Sequence, residues 1–198
     1  ALISATALKS PPVNYGGLEA VWANYAEGLG ELEHDVTLIA AKGSPKGKSY
    51  KLLETVPSWD TLKPEEQQQY SKNDGIQRKW ENWEWIAHTW NGWRAHEEAA
   101  YNIYKDTLKD FDVIGDASWG KWSYTTAKEE IVGTCHSIKS YQVKPPRQYP
   151  LFTGVSNGHA RFISKDLHIP VRVLLNPVDV ESLPFQKEKS DRILSLNR

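Results

Sequence analysis

The sequence predicts a doubly wound α/β fold on a mainly parallel sheet. Short apolar runs alternate with longer amphipathic segments along all 198 residues, the pattern of strands joined by crossover helices. Several runs are nearly continuous in apolar residues, as strands buried on both faces require; Asp35–Ala41 is the clearest. A glycine pair, Gly16-Gly17, separates the first run from the first amphipathic segment. Strand, glycine loop and helix start in that order outline an anion site, because glycine lets the backbone approach a ligand and a helix N-terminus carries partial positive charge.

Taken in order, Leu2–Thr6 reads as the first strand and Leu18–Leu32 as a helix with Val21, Tyr25, Gly28, Leu29 and Leu32 on one face. Asp35–Ala41 and Tyr50–Val56 are the next strands, with a loop at Lys42–Gly47 between them. Pro64 to Leu108 reads as helical, broken near Asn73-Asp74-Gly75. Phe111–Ile114, Ile131–Cys135, Leu151–Ser156 and Val171–Leu175 complete the strands, with a helix at His159–Asp166. After Leu175 the texture changes to a linker. Residues 1–180 are therefore expected to form one Rossmann-like domain, and 181–198 a linker and the first strand of a second domain. Ligands of such sheets bind beyond the carboxyl ends of the strands. The stretches of interest are thus Tyr15 to Gly17, Gly43-Ser44, Asp116 to Lys121, and His136 onward.

Composition narrows the function. A net charge of −1 recommends neither nucleic acid nor an acidic membrane as partner. One cysteine, Cys135, precludes an internal disulfide framework and fits a reducing, cytoplasmic compartment. No apolar run reaches transmembrane length. His88, His96, His159 and His168 show no ligand spacing with Cys or acids, so no metal site is expected. The loop lacks both GxGxxG and the Lys-Ser/Thr of a P-loop, which argues against dinucleotide and NTPase motifs.

The candidate residues each have a plainer reading. Gly16 and Gly17 fit a phosphate-facing loop, or a turn that needs positive φ. Glu19 fits contact with a ligand, or an acid placed favourably in a first helical turn. His136, following a strand, fits a hydrogen-bond donor to a ligand, or a structural histidine. Trp80, Trp83, Trp90 and Trp93 share one helical face and read as packing. Trp119 and Trp122 flank a loop after a strand and are better placed for contact, with Lys121 between them; Lys139, Lys144 and Arg147 read as a solvated basic loop.

Together these segments resemble a known family. The order strand, Pro11-Pro12-Val13-Asn14-Tyr15-Gly16-Gly17-Leu18-Glu19, helix, then Glu33-His34-Asp35-Val36-Thr37-Leu38, is similar to the N-terminal domain of retaining family-4 glycosyltransferases of the GT-B fold. Phe111-Asp112-Val113-Ile114, Gly133-Thr134-Cys135-His136-Ser137, Gly154-Val155-Ser156-Asn157 and Leu174-Leu175-Asn176-Pro177-Val178-Asp179 continue the resemblance in family order. Three positions depart from it: Glu33 stands where Gly is common, Gly115-Asp116-Ala117 replaces a His-rich stretch, and Asn176-Pro177 replaces Asn-Gly.

The resemblance implies transfer of a sugar from a nucleotide-diphosphate donor to a sugar, lipid or small-molecule acceptor, with retention at the anomeric carbon and no cofactor or required metal. It implies His136 as the catalytic residue, Gly16 and Gly17 at the donor phosphate and sugar, and Tyr15, Glu19, Asp116, Trp119 and Lys121 on the acceptor side. A lipid acceptor would place the protein at a membrane surface. A nucleotide-sugar epimerase of the same architecture and a non-catalytic carbohydrate- or nucleotide-binding module are the alternatives.

Overall fold

The computed structural model describes residues 1–4, 8–13, 16–58, 61–63, 65–66, 96, 99–100, 102–103, 111–117, 130–135 and 151–181. Seven strands lie among them: β1 (Leu2–Ile3), β2 (Thr37–Lys42), β3 (Lys51–Pro57), β4 (Val113–Asp116), β5 (Glu130–Cys135), β6 (Leu151–Gly154) and β7 (Val171–Val173). They form one sheet in the order β3-β2-β1-β4-β5-β6-β7, and every neighbouring pair is parallel. The chain therefore steps outward from β1 in one direction through β3, then returns to the middle and steps outward in the other. This is the doubly wound, Rossmann-like arrangement, with its switch point between β1 and β4.

Both faces of the sheet are covered. Leu2, Leu38 and Ala40 join Trp22 and Ala26 of helix α1 (Gly17–Glu31) in one core cluster. Ile3, Ile39 and Ile114 join Ala100 and Ile163 in the other. Leu2 and Ile3 are adjacent in sequence, as are Leu38 and Ile39, so the period-two alternation of a strand assigns the clusters to opposite faces. Ile163 belongs to helix α2 (Asn157–Leu167), and Ala100 to a stretch in which residues 96, 99, 100, 102 and 103 are helical. β2 is buried from Thr37 to Ala41, as its unbroken apolar run predicts, whereas the edge strands β3 and β7 carry exposed residues.

Helix α1 differs from its predicted face. Leu32 is 70% exposed and lies past the last turn. Trp22, which the face omits, is among the largest fully buried side chains. Its indole lies so close to Gly115 of β4 that a Cβ there would meet ring atoms at 3.0 and 3.2 Å. Val21 of the predicted face is buried and Tyr25 and Leu29 pack against the core, but α1 packs across the switch point, which widens its buried stripe to Glu19, Trp22, Ala23 and Ala26.

The helix ends where Glu33 turns to φ 67°. Leu32 N–H donates to Gly28 O at 3.1 Å and Glu33 N–H to Gly30 O at 3.0 Å. Glu33 therefore occupies the left-handed conformation that glycine favours after a helix.

Other boundaries move by a residue or three. β4 runs Val113–Asp116 rather than Phe111–Ile114, which draws Asp116 into the sheet. α2 starts at Asn157, two residues before the expected His159, because Ser156 caps it: its Oγ accepts from His159 N–H at 3.1 Å. β7 ends at Val173, and Leu174 N–H still donates to Gly154 O at 3.0 Å. The chain then meets α1: Tyr25 O–H donates to Leu175 O, and Asn24 Nδ2 donates to Pro177 O at 3.5 Å. The predicted helical region between Pro64 and Leu108, with its tryptophan face, lies largely outside the described residues, as does everything after Glu181.

Two substitutions test this packing in urea melts. Glu33→Gly relieves a left-handed non-glycine residue and is expected to stabilise by roughly 0.5–1 kcal/mol. Gly154→Ala places a Cβ 2.9 Å from Ala160 N and 3.0 Å from Ala160 Cα, both backbone atoms of α2. It is expected to destabilise by about 1–3 kcal/mol; an unchanged midpoint would mean that α2 does not sit this close to β6.

Candidate functional site

The loop that leaves β1 crosses the switch point and enters α1 through the two glycines, and the structure gives each a different task. Gly16 has φ 147° and ψ 62°, and a Cβ on it would stand 2.7 Å from Pro12 Cβ and 2.8 Å from Glu19 Oε2. Its glycine is demanded by the backbone and its neighbours. Gly17 is the first helical residue, and among the described residues a Cβ on it would meet no atom within 4 Å. The turn reading belongs to Gly16, and the open approach belongs to Gly17.

The first N–H groups of a helix have no partner within the helix. At α2 the Ser156 side chain supplies one. At α1 the capping residue is Gly16, which has no side chain to do so. Glu19 partly compensates, since its carboxyl accepts from its own N–H. That carboxyl is 2% exposed. Burial raises its pKa above 4.5, and the bond to its own N–H opposes the rise.

The loop is pinned at Ser10. Its N–H donates to Ser44 Oγ at 3.0 Å, and Ser44 Oγ in turn donates to Ala41 O at 2.6 Å. Ser10 Oγ donates to Glu19 O at 2.6 Å. Two loops at the carboxyl edge and the first turn of α1 are thereby held as one unit. Gly43, at φ 88°, donates its N–H to Glu54 Oε1 at 2.7 Å beside them.

On the opposite face lies a buried group that no sequence motif marks. His96 is 0% exposed. Its Nε2 is 3.1 Å from Ser4 O and its Nδ1 is 2.6 Å from Thr55 Oγ1. A carbonyl only accepts, so Nε2 carries the proton, and a neutral ring then accepts at Nδ1 from the Thr55 hydroxyl. Burial lowers the His96 pKa from 6.5 to about 4; the bond to Ser4 and the negative charge of Asp116 pull the other way without prevailing. His96 reads as a lone histidine without ligand spacing, and its partners stand 41 and 92 residues away in sequence.

Of the sequence-predicted site residues, Gly16, Gly17 and Glu19 come together at the start of α1. Asp116, expected in the loop after β4, is instead the last residue of that strand and is 0% exposed. It stands behind the site near His96 rather than on its surface. Tyr15, Trp119, Lys121 and His136 lie outside the described residues. Ser4 adds a polar atom that sequence reasoning missed. It continues the Leu2 parity toward α1, and its Oγ is buried without a hydrogen-bond partner. Among the described residues no group of three His, Cys, Asp or Glu side chains is arranged to hold a metal ion, and no helix is long and apolar enough to cross a membrane.

What this arrangement can do is offer backbone N–H groups, at a helix start that no described side chain covers at Gly17, to an anionic group at the switch point of the sheet. A scan against protein-family models finds no match to the chain, and a search of curated proteins finds none.

The buried imidazole makes stability depend on pH. A histidine whose folded pKa is near 4 against an ordinary 6.5 contributes fully above about pH 6.5. That contribution is lost progressively as pH falls toward 4, approaching about 3 kcal/mol at the low end. Glu19, with its raised pKa, acts in the opposite sense: its contribution is present below 4.5 and is lost as pH rises through its folded value. Melting wild type and His96→Gln across pH 4–7 isolates the histidine. The stability difference should narrow as pH falls, and a difference independent of pH would contradict a neutral buried ring.

Proposed function

We propose that the chain is the N-terminal, acceptor-side domain of a retaining glycosyltransferase of the GT-B architecture, which moves a sugar from a nucleotide-diphosphate donor to an acceptor hydroxyl. The observation that carries the proposal is the Gly16-Gly17 entry into α1 at the β1/β4 switch point, with no described atom within 4 Å of a Cβ placed on Gly17. A diphosphate is the anion that such an entry suits, and the resemblance supplies the chemistry.

On this reading the acceptor hydroxyl attacks the anomeric carbon on the face from which the nucleotide departs. The new C–O bond forms as the bond to the diphosphate oxygen breaks, and the hydroxyl proton passes to the leaving phosphate. The N–H groups at Gly17 and Leu18 stabilise charge developing on that phosphate. His136 donates to the transferred sugar. Tyr15, Glu19, Asp116, Trp119 and Lys121 belong to the acceptor side, with Asp116 acting from its buried place. A second domain holds most of the nucleotide, no metal takes part, and the reaction runs in the cytoplasm, at a membrane surface if the acceptor is a lipid.

The test is release of nucleoside diphosphate from a panel of UDP-, GDP- and ADP-sugars by the full-length protein that carries this chain. Gly17→Val should leave the melting curve nearly unchanged and lower kcat/KM at least about 100-fold, or about 2.7 kcal/mol of transition-state stabilisation. His136→Ala should lower kcat at least about tenfold. Turnover that survives Gly17→Val removes the loop from the site, and absence of turnover with every donor overturns the proposal.

A further inference from the structure

We infer that His96 is a positioning residue for the glycine loop: as a neutral imidazole it ties the carboxyl ends of β1 and β3 together across β2, and so sets where the amides of Gly16 and Gly17 stand. The inference rests on that loop being the ligand-facing edge.

The register places the ring. Ile3 pairs with Ile39 and Ile39 with Leu53, while Ile3 also pairs with Asp116. Ser4, Ala40 and Thr55 therefore lie at or just past one transverse row, one residue past β1 and two residues before the end of β2. His96 reaches this row from the helical stretch that also carries Ala100. It bonds Ser4 O and Thr55 Oγ1, and Thr55 Oγ1 lies 3.1 Å from Ala40 O in the strand between. Ser4 is the last described residue before the loop that Ser10 then pins to Ser44 and Glu19. Ala40 stands four residues before Ser44. One ring therefore fixes the points of departure of both loops that meet at the start of α1.

A wholly buried polar ring is costly unless it is bonded, and an apolar side chain would fill the same volume beside Ala100. What the imidazole adds is one donor and one acceptor, held in a fixed relation. The Thr55 hydroxyl has a single proton, given to Nδ1 when the ring is neutral. If the ring is charged, Nδ1 becomes a donor and that proton turns to Ala40 O. Protonation thus rewires the row. Among the described residues the ionisable group that acts on His96 is Asp116 of β4; Ser4 and Thr55 face it from β1 and β3 without ionising in this range.

The test uses the whole chain with pyrophosphate as probe, and follows the backbone amide resonances of Gly16 and Gly17 together with binding by calorimetry. His96→Leu should move both resonances and weaken pyrophosphate binding at least about tenfold. His96→Gln should restore both, since its carboxamide supplies an N–H for Ser4 O and a C=O for the Thr55 hydroxyl. In wild type the two resonances should follow the titration of the His96 ring, observed through its own nitrogens, as pH falls from 6 toward 4; in His96→Gln they should not. A His96→Leu protein that melts lower but keeps both resonances and its affinity overturns the inference. So do wild-type resonances indifferent to the titration of the ring, a result that holds even if His96→Leu fails to fold. If pyrophosphate does not bind wild type while the resonances respond as expected, the positioning role stands and the ligand reading of the loop falls.

Discussion

β1 is two residues long and lies between β2 and β4, and the rest of the structure depends on its pairing. Leu2 and Ile3 bond to a strand on either side, and their side chains enter opposite core clusters. A parallel strand in this position has no face left for water, so the backbone polar groups at its end need partners from the protein. Ser4 shows how that is met: its N–H donates to Ile39 O at 3.0 Å, and its carbonyl accepts from His96. The candidate site lies beside this strand end, at the switch point where sheets of this kind place their ligands.

Three ionisable side chains, Glu19, His96 and Asp116, are almost wholly buried around that strand end. For packing alone, apolar residues would be the simpler choice, since a buried charge is retained only with compensation. For Glu19 and His96 burial is the dominant influence on pKa, and it disfavours the charged form of each. The two sit on opposite faces of the sheet, one under the start of α1 and the other over the row that feeds it. Perturbed groups beside a switch point also occur where burial serves packing alone, so it is their place next to the glycine loop that ties them to the proposed site.

The sheet was legible because its signals are local. The apolar run of β2 and the alternation of strands with helices are written in consecutive residues, and boundaries shifted only where a cap or a register intervened, as at Ser156 and Asp116. The stripe of α1 was misread at Leu32 and Trp22 because it is set by what α1 packs upon, and the space above Gly115 belongs to a strand more than eighty residues away. The glycine pair was legible as a pair, but which glycine serves the backbone and which leaves space depends on Pro12 and Glu19 around it. His96 was invisible as a member of the site because its meaning lies entirely in partners from β1 and β3.

The contacts of Tyr25 and Asn24 with Leu175 and Pro177 close the chain upon itself across 150 and 153 residues. Contacts of such separation carry the highest loop-closure cost and form after the local elements that they join. The segment they hold is otherwise lightly committed: Leu175, Val178 and Val180 are 67%, 61% and 68% exposed. Past Leu174 the segment is thus held through polar contacts to α1 rather than through buried side chains, so its direction is tied to the placement of that helix.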